Sequence, residues 1–446
     1  MVKNALNNKF WLKPFAFVIG LIGAIWIVLW IEKVHPSDFG FYKDIFQREE
    51  LIQKRQDYPL RKTKVELRQE EKEFAKIAWK YFENNTIPET GIVNSVDKYN
   101  STTLWDIASS IHAFLSAYEL DIITKEELTQ RLSQLFNTLH GIKLFQDKLP
   151  NKVYNSMTLT MSTYDNRPTE TGIGWSAMDI GRFMGSCKRI IFNYPEYHYL
   201  VNNIIEKWDF KFAIEDATLM GIGLSFKDGV EKRVQEGKLG YEEYCSKGFI
   251  QMGFDASNAL LYTDFITFVE INGVKIGADS REVKHHPSYN YVLSDPYILD
   301  GLEYGFDVNS LELGYRVFLV QKKQSEKENK LICVGETHID QAPYFIYNSI
   351  FTNGKKWNCV SESGEDASHL KTFSTSAAFG WYYLFDDAYS DKLFNKAKGL
   401  YDKDIGFYSG YYQKDGELNK AITCNVNSLI LCALAYKKNG SIIFNH

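Results

Sequence analysis

The chain has 446 residues, a length that allows two or three domains or one large barrel-like unit. A formal charge of −5 and a pI near 6.1 exclude the global basic field that draws a protein to nucleic acid. Aromatic residues are abundant, with 28 Tyr, 30 Phe and 9 Trp. Such a supply suits a thick core, and it also suits a cleft whose rings stack on the apolar faces of sugars.

In chain order, the first informative stretch is Phe15 to Ile31, FAFVIGLIGAIWIVLWI, which carries no charge. As a helix it would span roughly 26 Å, close to the hydrocarbon thickness of a bilayer. It ends in Leu29-Trp30-Ile31-Glu32-Lys33, without the small residues of a cleavage site, and Trp26 and Trp30 stand where interfacial anchors stand. The expectation is an uncleaved signal anchor at 15–31. Lys3, Lys9 and Lys13 precede it, while Glu32 and Lys33 nearly cancel after it. The positive-inside rule then leaves 1–14 in the cytoplasm and places the C-terminal part outside a bacterial inner or plasma membrane, in the periplasm or beyond. Residues 32–65, with Pro36 and Pro59, read as a charged connector, and 66–446 as the folded domain.

Residues 66–85, ELRQEEKEFAKIAWKYFENN, place Phe74, Ile77, Ala78 and Tyr81 at helical spacing. Further helices are expected at 103–120, 125–140, 176–191, 196–208, 376–388, 391–401 and 424–437. Between them, Phe265–Glu270, Arg316–Gln321 and Lys330–Gly335 alternate as strands do, and Lys322–Asn329 reads as a polar hairpin tip. This predicts a small antiparallel β insertion at about 262–345 in a mainly helical body. No P-loop, nucleophile elbow or dinucleotide fingerprint is present. The six cysteines form no C-x-x-C pair, which excludes ribbon-type zinc sites and leaves any disulfide pairing open. Small residues recur at helix starts (Ala108-Ser109-Ser110, Ser176-Ala177, Ser374–Ala378, Ser428). Close helix packing with the starts opening on one face is the arrangement of an (α/α) toroid of helical hairpins.

Two helix starts carry both a Trp and an Asp. Thr103-x-x-Asp106 encloses Trp105, and Ser176-x-x-Asp179 follows Trp175, with Arg182 one turn on. Each acid reads equally as the back-bonding member of a capping box or as a pocket carboxylate. Capping leaves Trp105, Trp175 and Arg182 unexplained, and Arg182 shares a helical face with Asp179. GYEEY at 240–244 sets Glu242 beside Tyr241, and SDPYILDGLEYG at 294–305 supplies Asp295 before Pro296, and Glu303. In GETHIDQ at 335–341, Glu336, His338 and Asp340 would share one face of a strand and could ligate a divalent cation. Nothing else supplies a matching cluster, so no metal and no other cofactor is expected. Glycoside hydrolysis needs one carboxyl held protonated and a second as base or nucleophile, and acids flanked by aromatic rings meet that need.

The motifs TTLWDIASSIHAF (102–114), LPNKVYN (149–155), GIGWSAMDIGR (172–182), GYEEY, SDPYILDGLE, STSAAFGWYYL (374–384) and CNVNSLILCALAY (424–436) occur in an order that resembles a bacterial envelope family, the domain of unknown function numbered 3131. That family is similar to the glucoamylase-like, six-hairpin glycosidases, some of which act on β-1,2-glucans. The resemblance implies an (α/α)6 toroid and a polysaccharide or oligosaccharide substrate. It maps family motifs onto Trp105, Asp106, Trp175, Asp179, Arg182, Tyr241, Glu242 and Glu303. One departure is Asp295-Pro296 where Glu-Pro is expected. The resulting expectation is a membrane-anchored, exterior-facing glycoside hydrolase or transglycosylase. Asp106, Asp179, Glu242 and Glu303 are the candidate acids, and Trp105, Trp175, Arg182, Tyr241, Asp295 and Trp381 the candidate substrate contacts. The alternative is a non-catalytic glycan-binding or assembly component working with polysaccharide synthesis or export partners.

Overall fold

The computed structural model describes residues 17–26, 28, 57–224, 231–281 and 289–444. The chain divides into two units, 1–54 and 55–446. In the first, residues 17–26 are helical and Phe17, Ile19, Leu21 and Ile25 are exposed. The expected span 15–31 runs beyond the described residues at both ends, and the expected segment 1–14 and connector residues 32–56 lie outside them. Among the described residues no helix is long and apolar enough to cross a membrane.

Among its described residues the second unit contains eleven α-helices: α1 (Gln69–Asn85), α2 (Leu104–Glu119), α3 (Lys125–Gly141), α4 (Ala177–Asn193), α5 (His198–Lys207), α6 (Tyr241–Gln251), α7 (Asp295–Tyr304), α8 (Val308–Glu328), α9 (Thr375–Leu384), α10 (Ala388–Ala397) and α11 (Cys424–Asn439). Six of them close a ring. α2 packs on α4, α4 on α6, α6 on α7, α7 on α9, α9 on α11, and α11 back on α2. The other five lie outside it: α1 against α11 and α2, α3 against α2, α5 against α4, α8 against α7, and α10 against α9.

The sequence explains which helix goes where. α3 buries only Leu128, Leu132, Leu135, Phe136 and Leu139, a single stripe at i, i+4, i+7, i+8 and i+11, so one face meets protein and the other water. α9 buries all ten of its residues, Thr375–Leu384, as a helix surrounded on every side must. Five hairpins therefore pair an outer with an inner helix. The sixth outer place holds no long helix among the described residues. A short 3-10 turn at Asn258–Leu260 packs there on α6, and the hairpin β3–β4 (Ile266–Ile271, Val274–Asp279) packs through β4 on α8.

Two further strand groups bear on the site. β1 (Thr218–Leu224) pairs with β2 (Glu231–Gln235) ahead of α6. After β5 (Tyr291–Val292) come β6 (Glu336–His338), β7 (Phe345–Asn348) and β8 (Phe351–Thr352), then β9 (Cys359–Ser361). β6, β7 and β9 form an antiparallel sheet in that order, and β5 pairs with β8.

The structure corrects part of the expected insertion. Arg316–Gln321 is the middle of α8, and the expected hairpin tip 322–329 is that helix's last turns, ended by Asn329 in the left-handed region (φ 50°). Its β-branched and aromatic residues imitate a strand, but Asp307 caps the helix by accepting from the amides of Asn309 and Ser310. The Lys, Gln and Glu residues that follow are strong helix formers. Lys330–Gly335 contains no strand, whereas the expected strand at 265–270 is β3. Helices α6 and α7 were not among the expected ones. The connector is also shorter than expected, because residues 58–65 already lie on the domain. The Arg61 amide donates to the Leu384 carbonyl at 2.9 Å and Val65 to Lys437 at 3.2 Å. All six cysteines are buried and free.

Neighbouring inner helices touch backbone to backbone where the chain supplies glycine. A Cβ on Gly248 of α6 would lie 1.9 Å from the Gly181 carbonyl oxygen of α4, and one on Gly181 would lie 2.4 Å from that of Cys245. Neither neighbour is a movable side-chain end. Gly248→Ala should therefore destabilise the domain by roughly 1–3 kcal/mol or more through overpacking. A lowered urea midpoint with unchanged slope would show it.

Candidate active site

The inner helices open toward one end, and hydroxyl residues start most of them. Thr103, Ser176, Ser374 and Thr423 each accept from an amide in the first turn of α2, α4, α9 and α11. The two Trp–Asp starts then part company. Asp106 completes a capping box: one carboxylate oxygen accepts from the Thr103 amide at 3.0 Å and hydroxyl at 2.8 Å. Its other oxygen accepts from the Asn425 side chain at 2.9 Å, which ties α2 to α11 beside the pocket. Asp179 accepts the Ser176 hydroxyl at 3.0 Å, with no second donor among the described residues, and stays half-buried.

A pocket opens among these helix starts. Trp105, Arg182, Asp295 and Asn425 line it from α2, α4, α7 and α11, and β6 crosses over it with Glu336 and His338. The crossing brings two carboxyls together: the Glu336 amide donates to the Asp295 carboxylate at 3.0 Å. Burial pushes the Asp295 carboxyl well above the usual range, and the charge of Glu336 pushes it further. Burial raises Glu336 too, but the Tyr241 phenol and the Arg182 charge work against the rise. Both carboxyls of the pair are thus held above the usual range, with the opposing influences of Tyr241 and Arg182 acting on Glu336. The buried Tyr241 hydroxyl makes no hydrogen bond of ordinary geometry, yet it lies close enough to Glu336 for each to perturb the other.

Arg182 holds the floor. Its guanidinium lies 4.5 Å over the Trp105 ring, and it donates to the Trp105 carbonyl, the Ser109 hydroxyl, the Tyr244 phenol and Glu303. Trp105 meets the Tyr241 ring edge-on at 6.0 Å. Trp105, Arg182, Tyr241 and Asp295 are thus brought together, with Asp106 one hydrogen bond behind them.

Other expected site residues are placed elsewhere. Glu303 is fully buried beneath the floor, paired with Arg182 at 3.3 Å and accepting the Tyr244 phenol at 2.5 Å. Glu242 is buried against Arg281 at 2.6 Å and accepts from Gln235 at 2.9 Å. Trp175 was expected to be a stacking platform, but it is a core residue whose indole donates to the Met220 carbonyl while Phe145 and Phe212 meet its ring edge-on. Trp381 is likewise enclosed, donating to Ser294 and stacked on Phe385. The trio Glu336, His338 and Asp340 does not converge. The first two face the pocket, whereas Asp340 is exposed and accepts from the Tyr412 phenol and the Lys420 amide. Among the described residues no group of three side chains could hold a metal ion. Glu336 was legible only as part of that trio, and Asn425 carried no signal.

A closed inner ring with outer helices and a strand-covered mouth is the fold of glucoamylase-like glycosidase structures. A glucoamylase-like protein of Bacteroides caccae superposes with a TM-score of 0.60 at 13% identity, covering 84% of this chain and 94% of that one. An endo-β-1,2-glucanase from Chitinophaga pinensis, in complex with sophorotriose and glucose, gives 0.56 at 13% identity, covering 84% and 94%. One from Talaromyces funiculosus, in complex with sophorose, gives 0.55 at 10%, covering 84% and 85%. At these identities the likeness is one of fold. The chain itself belongs to the family described as protein of unknown function DUF3131, which matches residues 73–440. No curated protein matches it by sequence.

One buried acid makes the domain's stability pH-dependent. Glu243 accepts the Gly240 amide at 2.6 Å, and burial followed by the charge of Glu242 pushes its carboxyl up from 4.5 to about 8. Its folded-state value is raised, so the folded chain keeps a proton that the unfolded chain releases in this window. The contribution of this group is complete below about pH 4.5 and is lost as the pH rises through about 8. Urea midpoints of Glu243→Gln should fall less steeply over that range than those of the unmodified chain.

Proposed function

We propose that this chain is a glycoside hydrolase that cleaves an envelope or exported polysaccharide. The observation that carries the reading is the Asp295–Glu336 pair, two carboxyls buried together in a cavity at the helix starts of a glycosidase fold. Protonated Asp295 would act as the general acid on the glycosidic oxygen. Ionised Glu336, steadied by Arg182 and Tyr241, would serve as base or nucleophile. A sugar hydroxyl in place of water as acceptor would make the same site a transglycosylase. The structures of this fold that are named as β-1,2-glucanases make linear β-1,2-glucan the first substrate to try.

The proposal includes a setting. The charge-free stretch 15–31, with lysines before it, supports a signal anchor that holds the domain on the outer side of a bacterial inner or plasma membrane. Polysaccharide synthesis or export machinery would then be its neighbour.

The test is reducing-end release from β-1,2-glucan and other envelope polysaccharides by the full chain. Asp295→Asn and Glu336→Gln should each lower the rate by about 10²-fold or more while the melting transition stays in place. Undiminished release by either variant would sink the assignment of the pair. Glycan binding without any release would favour the non-catalytic binding component.

A further inference from the structure

The sheet that covers the cavity carries an aromatic series away from the acid pair. In the antiparallel register of β6 and β7, Glu336 stands opposite Tyr347 and His338 opposite Phe345. Cross-strand partners share a face, and so do residues two apart, so these four side chains lie on the side of the sheet that faces the cavity. From His338 the ring centroids run 4.8 Å to Phe345, 5.1 Å to Tyr347, and 3.9 Å to Tyr291 of β5, the last two rings being parallel within 4°. Tyr289 continues the series at 5.9 Å. All five rings are half-buried, whereas the aromatic residues of the core are closed off.

Tyr164 is 53% exposed, and the carboxyls of Asp179, Glu236 and Glu362 lie near enough to bear on its hydroxyl, as that hydroxyl does on Tyr347. Lys152 acts on both Asp179 and Glu362, while its own ammonium donates to the Ile222 carbonyl at 2.7 Å. The region thus offers flat apolar rings and acceptor-rich carboxyls, with one lysine already engaged. Pyranose rings present apolar faces and outward hydroxyl donors, which match this lining. A polyanion would meet three carboxyls.

We infer that the cavity continues into a cleft along Phe345, Tyr347 and Tyr291, with Tyr164 in its vicinity, that holds several sugar units of an uncharged glycan chain. The inference deepens the hydrolase reading and rests on it for the identity of the cavity. It adds that the substrate is a neutral polymer gripped along its length and cut internally.

Calorimetric titration of the full chain with a panel of neutral glucans, including linear β-1,2-glucan and its oligosaccharides of increasing length, tests this without relying on turnover. Affinity should rise with chain length. Tyr347→Ala and the surface variant Tyr164→Ala should each weaken polymer binding roughly tenfold, as truncating an aromatic anchor does. Length-dependent binding that is lost in the tyrosine variants, with no cleavage of any glucan, would uphold the cleft and sink the hydrolase. Cleavage that is indifferent to chain length and to both variants would sink the cleft and uphold the hydrolase. Binding of no neutral glucan, or tighter binding of an anionic polysaccharide, would overturn the inference.

Discussion

The ion pair between Arg182 and Glu303 underlies the arrangement of the site. Both groups are buried, and their partners come from four helices of the inner ring: Arg182 from α4, Glu303 from α7, Tyr244 from α6, and Ser109 with the Trp105 carbonyl from α2. Charges taken this far from water are tolerable only when fully partnered, and removing one member of such a pair costs roughly 3–5 kcal/mol. The Trp105 ring lies under this guanidinium, and Tyr241 leans on Trp105. The position of the cavity wall is thus set by a charge pair that never touches the cavity's contents except through Arg182.

A division of labour among the carboxyls follows. Acids that belong to helix starts mostly serve the helices: Asp106 caps α2, Glu243 caps α6, and Glu242 neutralises Arg281. The pair that faces open space combines one acid of a helix start, Asp295, with one delivered by a strand from outside the ring. The backbone amide of Glu336 occupies the Asp295 carboxylate, so the strand positions the pair by a bond that substitution of its side chain does not remove. The carboxyls proposed to react and the carboxyls that stabilise the fold are therefore different residues.

The ring was largely legible in the amino-acid order. Local signals suffice for helices with a one-sided apolar period or a hydroxyl cap, as with α1, α2, α3, α4 and α11. They fail where burial is complete. α7 buries Asp295 through Glu303, acids included, and so shows no amphipathic stripe. α8 reads locally as strand because Val, Phe and Leu crowd its centre, and tertiary packing overrides that reading. For the site, Trp105, Tyr241, Arg182 and Asp295 were marked by unusual neighbours in the chain. Trp175 carried the same mark and is core, because a tryptophan beside a helix start fills either side of that start equally well, and Trp381 is core because it lies within the fully buried α9. Glu336 was marked only as a weak metal candidate and not as a catalytic acid, because its partner Asp295 lies 41 residues earlier, a juxtaposition only the closed ring creates.

The strap at residues 58–65 has a further consequence. It binds the Leu384 and Lys437 carbonyls, at the C-terminal ends of α9 and α11, whereas the cavity lies at the N-terminal ends of the same helices. The polypeptide therefore joins the ring on its blind side. The strap's own bonds therefore leave the mouth of the ring unobstructed.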